Sequence, residues 1–237
     1  DLELADPPAN DLFADRAVLT GAKVQVSASN RGATREPDEP HSPYAGGDSL
    51  WWSWTAPRDG TVLVSASGST IRTNLGVYTG SSITSLASIG HDQGWERDSR
   101  VVFSATAGTT YSISVGGVNR ALGDIVLNLS LLDAPANDRF ADRLPLAGSR
   151  VVVESSNVGA TREEGDPVYQ NGGGNSASVW YTWTAPATGS AVVRAVTDEF
   201  VASVAVYSGG GLGTLTHVPA VWSGIHERVA FKAVRGT

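Results

Sequence analysis

The chain has 237 residues, enough for two ordinary domains, and its 41% hydrophobic against 17% charged residues allow a buried core. A net charge of −7, with lysine only at Lys23 and Lys232 and no Lys/Arg cluster, leaves no electrostatic footprint for nucleic acid. The lack of cysteine excludes a disulfide framework and a thiolate zinc site, and no apolar run reaches the roughly 18 residues of a membrane helix, so no membrane insertion is expected.

In chain order, residues 1–5 read as the closing strand of a preceding repeat or an N-terminal extension, because Leu2-Glu3-Leu4-Ala5-Asp6 lines up with Leu129-Ser130-Leu131-Leu132-Asp133. Asp6 to Pro40 then aligns without gaps on Asp133 to Pro167 at an offset of 127, with 21 of the 35 positions identical. Two modules follow, 6–132 and 133–237. Period-two alternation predicts strands over Val24–Ala28, Leu50–Thr55, Thr61–Ala66, Leu75–Thr79, Arg100–Ser104, Tyr111–Val115 and Ile125–Leu131, separated by turn formers such as Arg58-Asp59-Gly60 and Thr106-Ala107-Gly108. Short strands at regular spacing point to an all-β chain of two tandem jelly-roll-like antiparallel β-sandwich modules. The second copies the aromatic strand as Trp180-Tyr181-Thr182-Trp183, but its text stops at Thr237, before counterparts of the last two strands. The second module is therefore expected to lack those strands, the chain being either a piece of a longer array or a module completed by a neighbouring copy through strand addition.

The order of an Asn10-Asp11 entry, the aromatic strand Trp51-Trp52-Ser53-Trp54, Gly60-Thr61-Val62, Val77-Tyr78 and Ala107 to Tyr111 resembles the bacterial pre-peptidase C-terminal domain family. The resemblance implies a β-sandwich appended to or repeated in secreted or cell-surface proteins, without catalysis of its own. In collagen-binding members an acidic N-terminal segment binds calcium.

Hard cations need several oxygen ligands, and each module has two acidic stretches that offer them. Asp6, Asn10 and Asp11 precede the first strand, and Glu36, Asp38, Glu39 and Asp48 precede the aromatic one. Asp133, Asn137, Asp138, Glu163 and Asp166 repeat the pattern. The resemblance carries calcium ligation most clearly onto Asn10, Asp11, Asn137 and Asp138, although Pro8 and Pro135 stand where a further acidic ligand belongs. The other reading of the same residues is that they make turns and caps.

Along the aromatic strand Leu50, Trp52 and Trp54 share the core face, which turns Trp51 and its copy Trp180 the other way. With the loop residues Trp95 and Trp222 they are candidate platforms for a sugar ring or a protein anchor, unless a neighbouring loop covers them. No Gly-x-Ser-x-Gly, metal-ligating histidine pair or phosphate loop is present. The expectation is a non-catalytic extracellular module that binds polysaccharide or an extracellular matrix protein and is stabilised by calcium. Its competitor is a structural spacer repeat of a surface fibre. A hydrolase would need a cleft with two close carboxylates.

Overall fold

The computed structural model describes residues 6–40, 45–92, 98–167, 177–197, 202–223 and 228–237. The chain divides into two compact units, Asp1–Asp133 and Ala134–Thr237. Among the described residues it is all β, interrupted by single 3-10 turns such as Phe13–Asp15 and Phe140–Asp142. No helix there is long and apolar enough to cross a membrane.

Module 1 is a sandwich of nine strands: β1 (Ala17–Leu19), β2 (Lys23–Ser29), β3 (Ala45–Thr55), β4 (Gly60–Ser65), β5 (Thr73–Thr79), β6 (Ala87–Asp92), β7 (Arg100–Ala105), β8 (Thr110–Val118) and β9 (Asp124–Leu131). One sheet has the order β1-β3-β8-β5-β6 and the other β2-β9-β4-β7. Alternation along β4, β7 and β9 sends Val62, Val64, Val101, Phe103, Leu127 and Leu129 inward, against Leu50, Trp54 and Ile113 of the facing sheet. The consecutive strands β8 and β9 run through the middle of the two sheets, one in each. They hold the module together.

The sandwich is antiparallel apart from its entry strand: β1 lies parallel to β3, with Ala17 opposite Trp52 and Leu19 opposite Trp54. A parallel neighbour requires a long crossover, and the excursion through β2 in the other sheet supplies it. The entry segment therefore becomes an edge of the aromatic sheet.

Module 2 repeats this plan incompletely. Its strands are β10 (Leu144–Leu146), β11 (Tyr181–Trp183), β12 (Gly189–Arg194), β13 (Tyr207–Ser208), β14 (Thr216–His217), β15 (Ala220–Ser223) and β16 (Arg228–Ala233). They pair as β10-β11, again parallel, β12-β16-β15 and β13-β14. The β12–β16 register copies β4–β7, with Gly189 opposite Ala233 as Gly60 is opposite Ala105. Among the described residues there is no strand in the places of β8 and β9, so β11 and β13 are not bridged and β12 has one free edge.

Candidate functional site

The acidic residues picked out by the sequence come together at the entry of each module, as hydrogen-bond acceptors. The chain passes over the outer face of the aromatic sheet, held at its start by Asn10, whose Nδ2 donates to Trp51 O at 3.0 Å while Trp51 N donates to Asn10 O at 2.9 Å. Asp11 accepts from Thr34 N at 2.6 Å and from Thr34 Oγ1 at 2.7 Å, which ties the entry segment to the loop before β3. Glu36 Oε2 accepts from Phe13 N at 2.5 Å, satisfying a donor at the start of the 3-10 turn. Phe13 sits edge-on to Trp51, ring centroids 5.2 Å apart. Arg16 stacks on Phe13 with its guanidinium carbon 4.2 Å from the ring centroid, and donates to Phe13 O at 2.7 Å.

Glu39 closes the strap from within. Its Oε1 accepts from the Ser49 hydroxyl and, at 3.1 Å, from Trp51 Nε1; its Oε2 accepts from Glu36 N at 3.2 Å. Glu39 is buried, and burial raises its pKa above the ordinary carboxylate value, although these hydrogen bonds and the charge of Arg35 pull the other way. Asp48 is raised for the same leading reason.

Module 2 reproduces the arrangement atom for atom at its entry. Asn137 Nδ2 donates to Trp180 O at 3.0 Å, Thr161 N and Oγ1 both donate to Asp138 at 2.6 Å, and Phe140 N donates to Glu163 Oε2 at 2.6 Å. Phe140 meets Trp180 edge-on at 5.1 Å, and Arg143 covers Phe140 at 4.3 Å. Among the acidic acceptors of the strap the copies differ at one position. Asp166 replaces Glu39, and although its Oδ2 still accepts from Glu163 N at 2.9 Å, its Oδ1 and Trp180 Nε1 are both buried without a partner. Burial raises the pKa of Asp166 too.

The carboxylates that the resemblance assigns to calcium are turned onto backbone and hydroxyl donors, and among the described residues no three acidic or histidine side chains gather around a common point. Asp6 is exposed, and Asp133, 97% exposed at its side chain, forms an ion pair with Arg58 at 2.5 Å. Trp51, a candidate platform unless a neighbouring segment covers it, is wholly buried beneath Phe13 and beside Tyr78, because the entry segment covers the face that alternation turned away from the core. Trp180 is half-buried under Phe140 in the same way. Trp95 lies outside the described residues, and of Trp222 only the backbone is described, in β15 opposite Val229. Sequence reasoning missed Thr34 and Thr161, whose signal was available: both lie in the repeated Gly-Ala-Thr-Arg-Glu text, in a loop where packing alone gives no reason for identity.

Beside the strap, Asp38, Glu39 and Pro40 face Ile83, Thr84 and Leu86 across an open cleft of about 500 Å³. Asp38 holds a left-handed backbone, φ 66°.

No family model and no curated protein matches the chain. Solved structures similar to it include the pre-peptidase C-terminal domain of collagenase from Bacillus anthracis, at 16% identity over 49% of this chain and 94% of that one, TM-score 0.32. Another is PliG of Aeromonas hydrophila, a periplasmic lysozyme inhibitor of g-type lysozyme, at 16% identity over 49% of this chain and 96% of that one, TM-score 0.34.

Proposed function

We propose that the chain is a non-catalytic structural repeat of an extracellular or cell-surface protein, in which each module is locked at its entry by a metal-free acidic strap. The observation that carries this reading is the duplication of the strap: Asp11 and Asp138, and Glu36 and Glu163, accept from equivalent donors in both copies. Hydrogen bonds to ionised groups contribute about 1.5–3 kcal/mol each when buried, so the strap fixes how the chain enters a module. A spacer needs that property. The test is a thermal melt in calcium and in excess EDTA, beside Thr34→Val and Thr161→Val. The midpoint is expected to ignore EDTA and to fall with either substitution, by the equivalent of about 1–3 kcal/mol for a carboxylate stripped of a donor. A fall in EDTA that calcium reverses would return Asp11 and Asp138 to the role of ligands.

A second reading, a module that binds polysaccharide or matrix protein, draws on the cleft at Asp38 and Leu86. Titration of soluble glycans or matrix proteins against wild type and Leu86→Asp tests it, with loss of binding in the variant as the supporting outcome.

A further inference from the structure

Within module 1, β2 runs at one side of its sheet, paired along its whole length with β9, from Lys23 opposite Ser130 to Ser29 opposite Asp124. Leu131 N donates to Ala22 O at 2.7 Å and Asn30 N to Gly123 O at 3.2 Å, so Ala22, Asn30 and the even-numbered residues between them turn their backbone groups towards β9. Those of Lys23, Gln25, Ser27 and Ser29 face the other way, where among the described residues no strand pairs with them. The usual protection of an edge is missing: from Val24 to Ser29 there is no proline, no charge and no bulge. The inward side chains show the same opening. Val24, Val26 and Ala28 pack on the core but stay partly exposed, whereas Leu127 and Leu129 of β9 are each 1% exposed.

The sequence of this edge is complementary to itself. Side chains opposite each other across antiparallel strands share a face, so a second β2 can meet the first about a residue common to both. A two-fold axis at Val26 sets Val24 opposite Ala28 on the inner face, and Gln25 opposite Ser27 and Lys23 opposite Ser29 on the outer face. Ser29 lies opposite Asp124 of β9, so Lys23 of one copy comes within two strand spacings, about 10 Å, of Asp124 of the other. An extended lysine and an aspartate span that distance. Lys23 and Asp124 are both exposed and are in no ion pair among the described residues. The neighbouring registers lose this match: an axis at Ser27 sets Lys23 opposite Arg31, and one at Gln25 sets it beside Ser27 and Val126, away from Asp124.

We propose that the free edge of β2 docks β2 of a second copy of this chain, antiparallel and about a two-fold axis at Val26, so that two four-stranded sheets join into one. The residues whose backbone groups face the edge would then exchange about eight hydrogen bonds between the copies. The contact is isologous and closes at two copies, so it ties two chains side by side and builds no filament. The proposal rests on the structural-repeat reading for its partner, a second copy of the same repeat. It makes no use of the strap, so a melt that overturns the strap leaves it standing, and a chain that stays monomeric overturns it alone.

The test uses residues 1–237 as they stand. Sedimentation velocity up to about 1 mM, the weak end of specific affinities, is expected to show a monomer–dimer equilibrium with no larger species. Gln25→Lys with Ser27→Lys sets like charges opposite each other at two exposed positions and should abolish the dimer, as should Gln25→Glu with Ser27→Glu. Mixing those two chains should restore it, which also shows that both are folded. Lys23→Glu should weaken it roughly 2- to 10-fold, and adding Asp124→Lys to the same chain should bring it back. The chain has no cysteine of its own, so Val26→Cys should cross-link to its own copy under mild oxidation ahead of Gln25→Cys and Ser27→Cys, because only a residue on the axis meets itself. A wild type that stays monomeric throughout, a dimer that survives both charge pairs, or cross-linking fastest away from Val26 would each overturn the proposal.

Discussion

Glu39 and Asp166 occupy one position of the repeat and differ by a methylene, and that methylene decides whether the buried indole of the strap has an acceptor. Glu39 reaches Trp51 Nε1 at 3.1 Å, whereas Asp166 leaves its own Oδ1 and Trp180 Nε1 unpaired. Leaving buried polar groups unsatisfied costs about 1–3 kcal/mol, so Asp166→Glu should stabilise module 2 by roughly that amount and Glu39→Asp should destabilise module 1 comparably. Denaturant titration followed by tryptophan fluorescence reads both; a neutral Asp166→Glu would mean that an ordered water already joins the two atoms. The same carboxyls set a pH response. Their folded pKa values lie above the unfolded ones, so the folded state binds more protons than the unfolded state between the ordinary carboxylate range and the raised value. Stability from this source is full below that range and is lost as pH rises through the raised values. Glu39→Gln, melted from acid to neutral pH, should flatten the module 1 part of that slope, and an unchanged slope would move the effect to another group. These residues were legible in the sequence as an acidic cluster. Their partners were not, because whether a carboxylate faces an ion or a Thr34 hydroxyl depends on where a loop of twenty-odd residues returns.

The strands were legible where alternation is strict and one face is core, as in β4, β7 and β9, whose burial alternates residue by residue. Two elements of module 1 were not. β1 is three residues long and pairs parallel, and β6 reads Ala-Ser-Ile-Gly-His-Asp at a sheet edge, where no core imposes a pattern. β3 shows the opposite limit. Leu50, Trp51, Trp52 and Trp54 are all buried, since the strap adds a layer over the face that alternation assigned to solvent or ligand. The connection from β8 to β9 is equally demanding. A β-carbon placed on Gly117 falls 1.9 Å from Ala121 O, a backbone atom that cannot step aside cheaply. Gly117→Ala should therefore displace the connection between the two central strands and cost more than the 1–3 kcal/mol usual for overpacking. Gly108, in the turn before β8, has open space around it and a left-handed φ of 75°, so Gly108→Ala separates conformational strain from collision. Comparable losses from the two substitutions would remove the collision argument.

Two units built on one plan, with β8 and β9 in the first and, among the described residues, no strand in their places in the second, make an internal control for what those strands contribute. Equivalent positions differ in burial in the direction that this difference requires: Val64 is enclosed and Val193 is not, although both sit on the same strand of the repeat in the same register. Tertiary packing supplies most of the protection of a sheet, and a strand with one free edge keeps half of its ladder. Amide hydrogen exchange is therefore expected to run from slow to fast along the pairs β4 and β12, and β7 and β16, with module 1 the slower member of each. If β12 exchanges as slowly as β4, pairing on both edges is not what sets the protection of these strands.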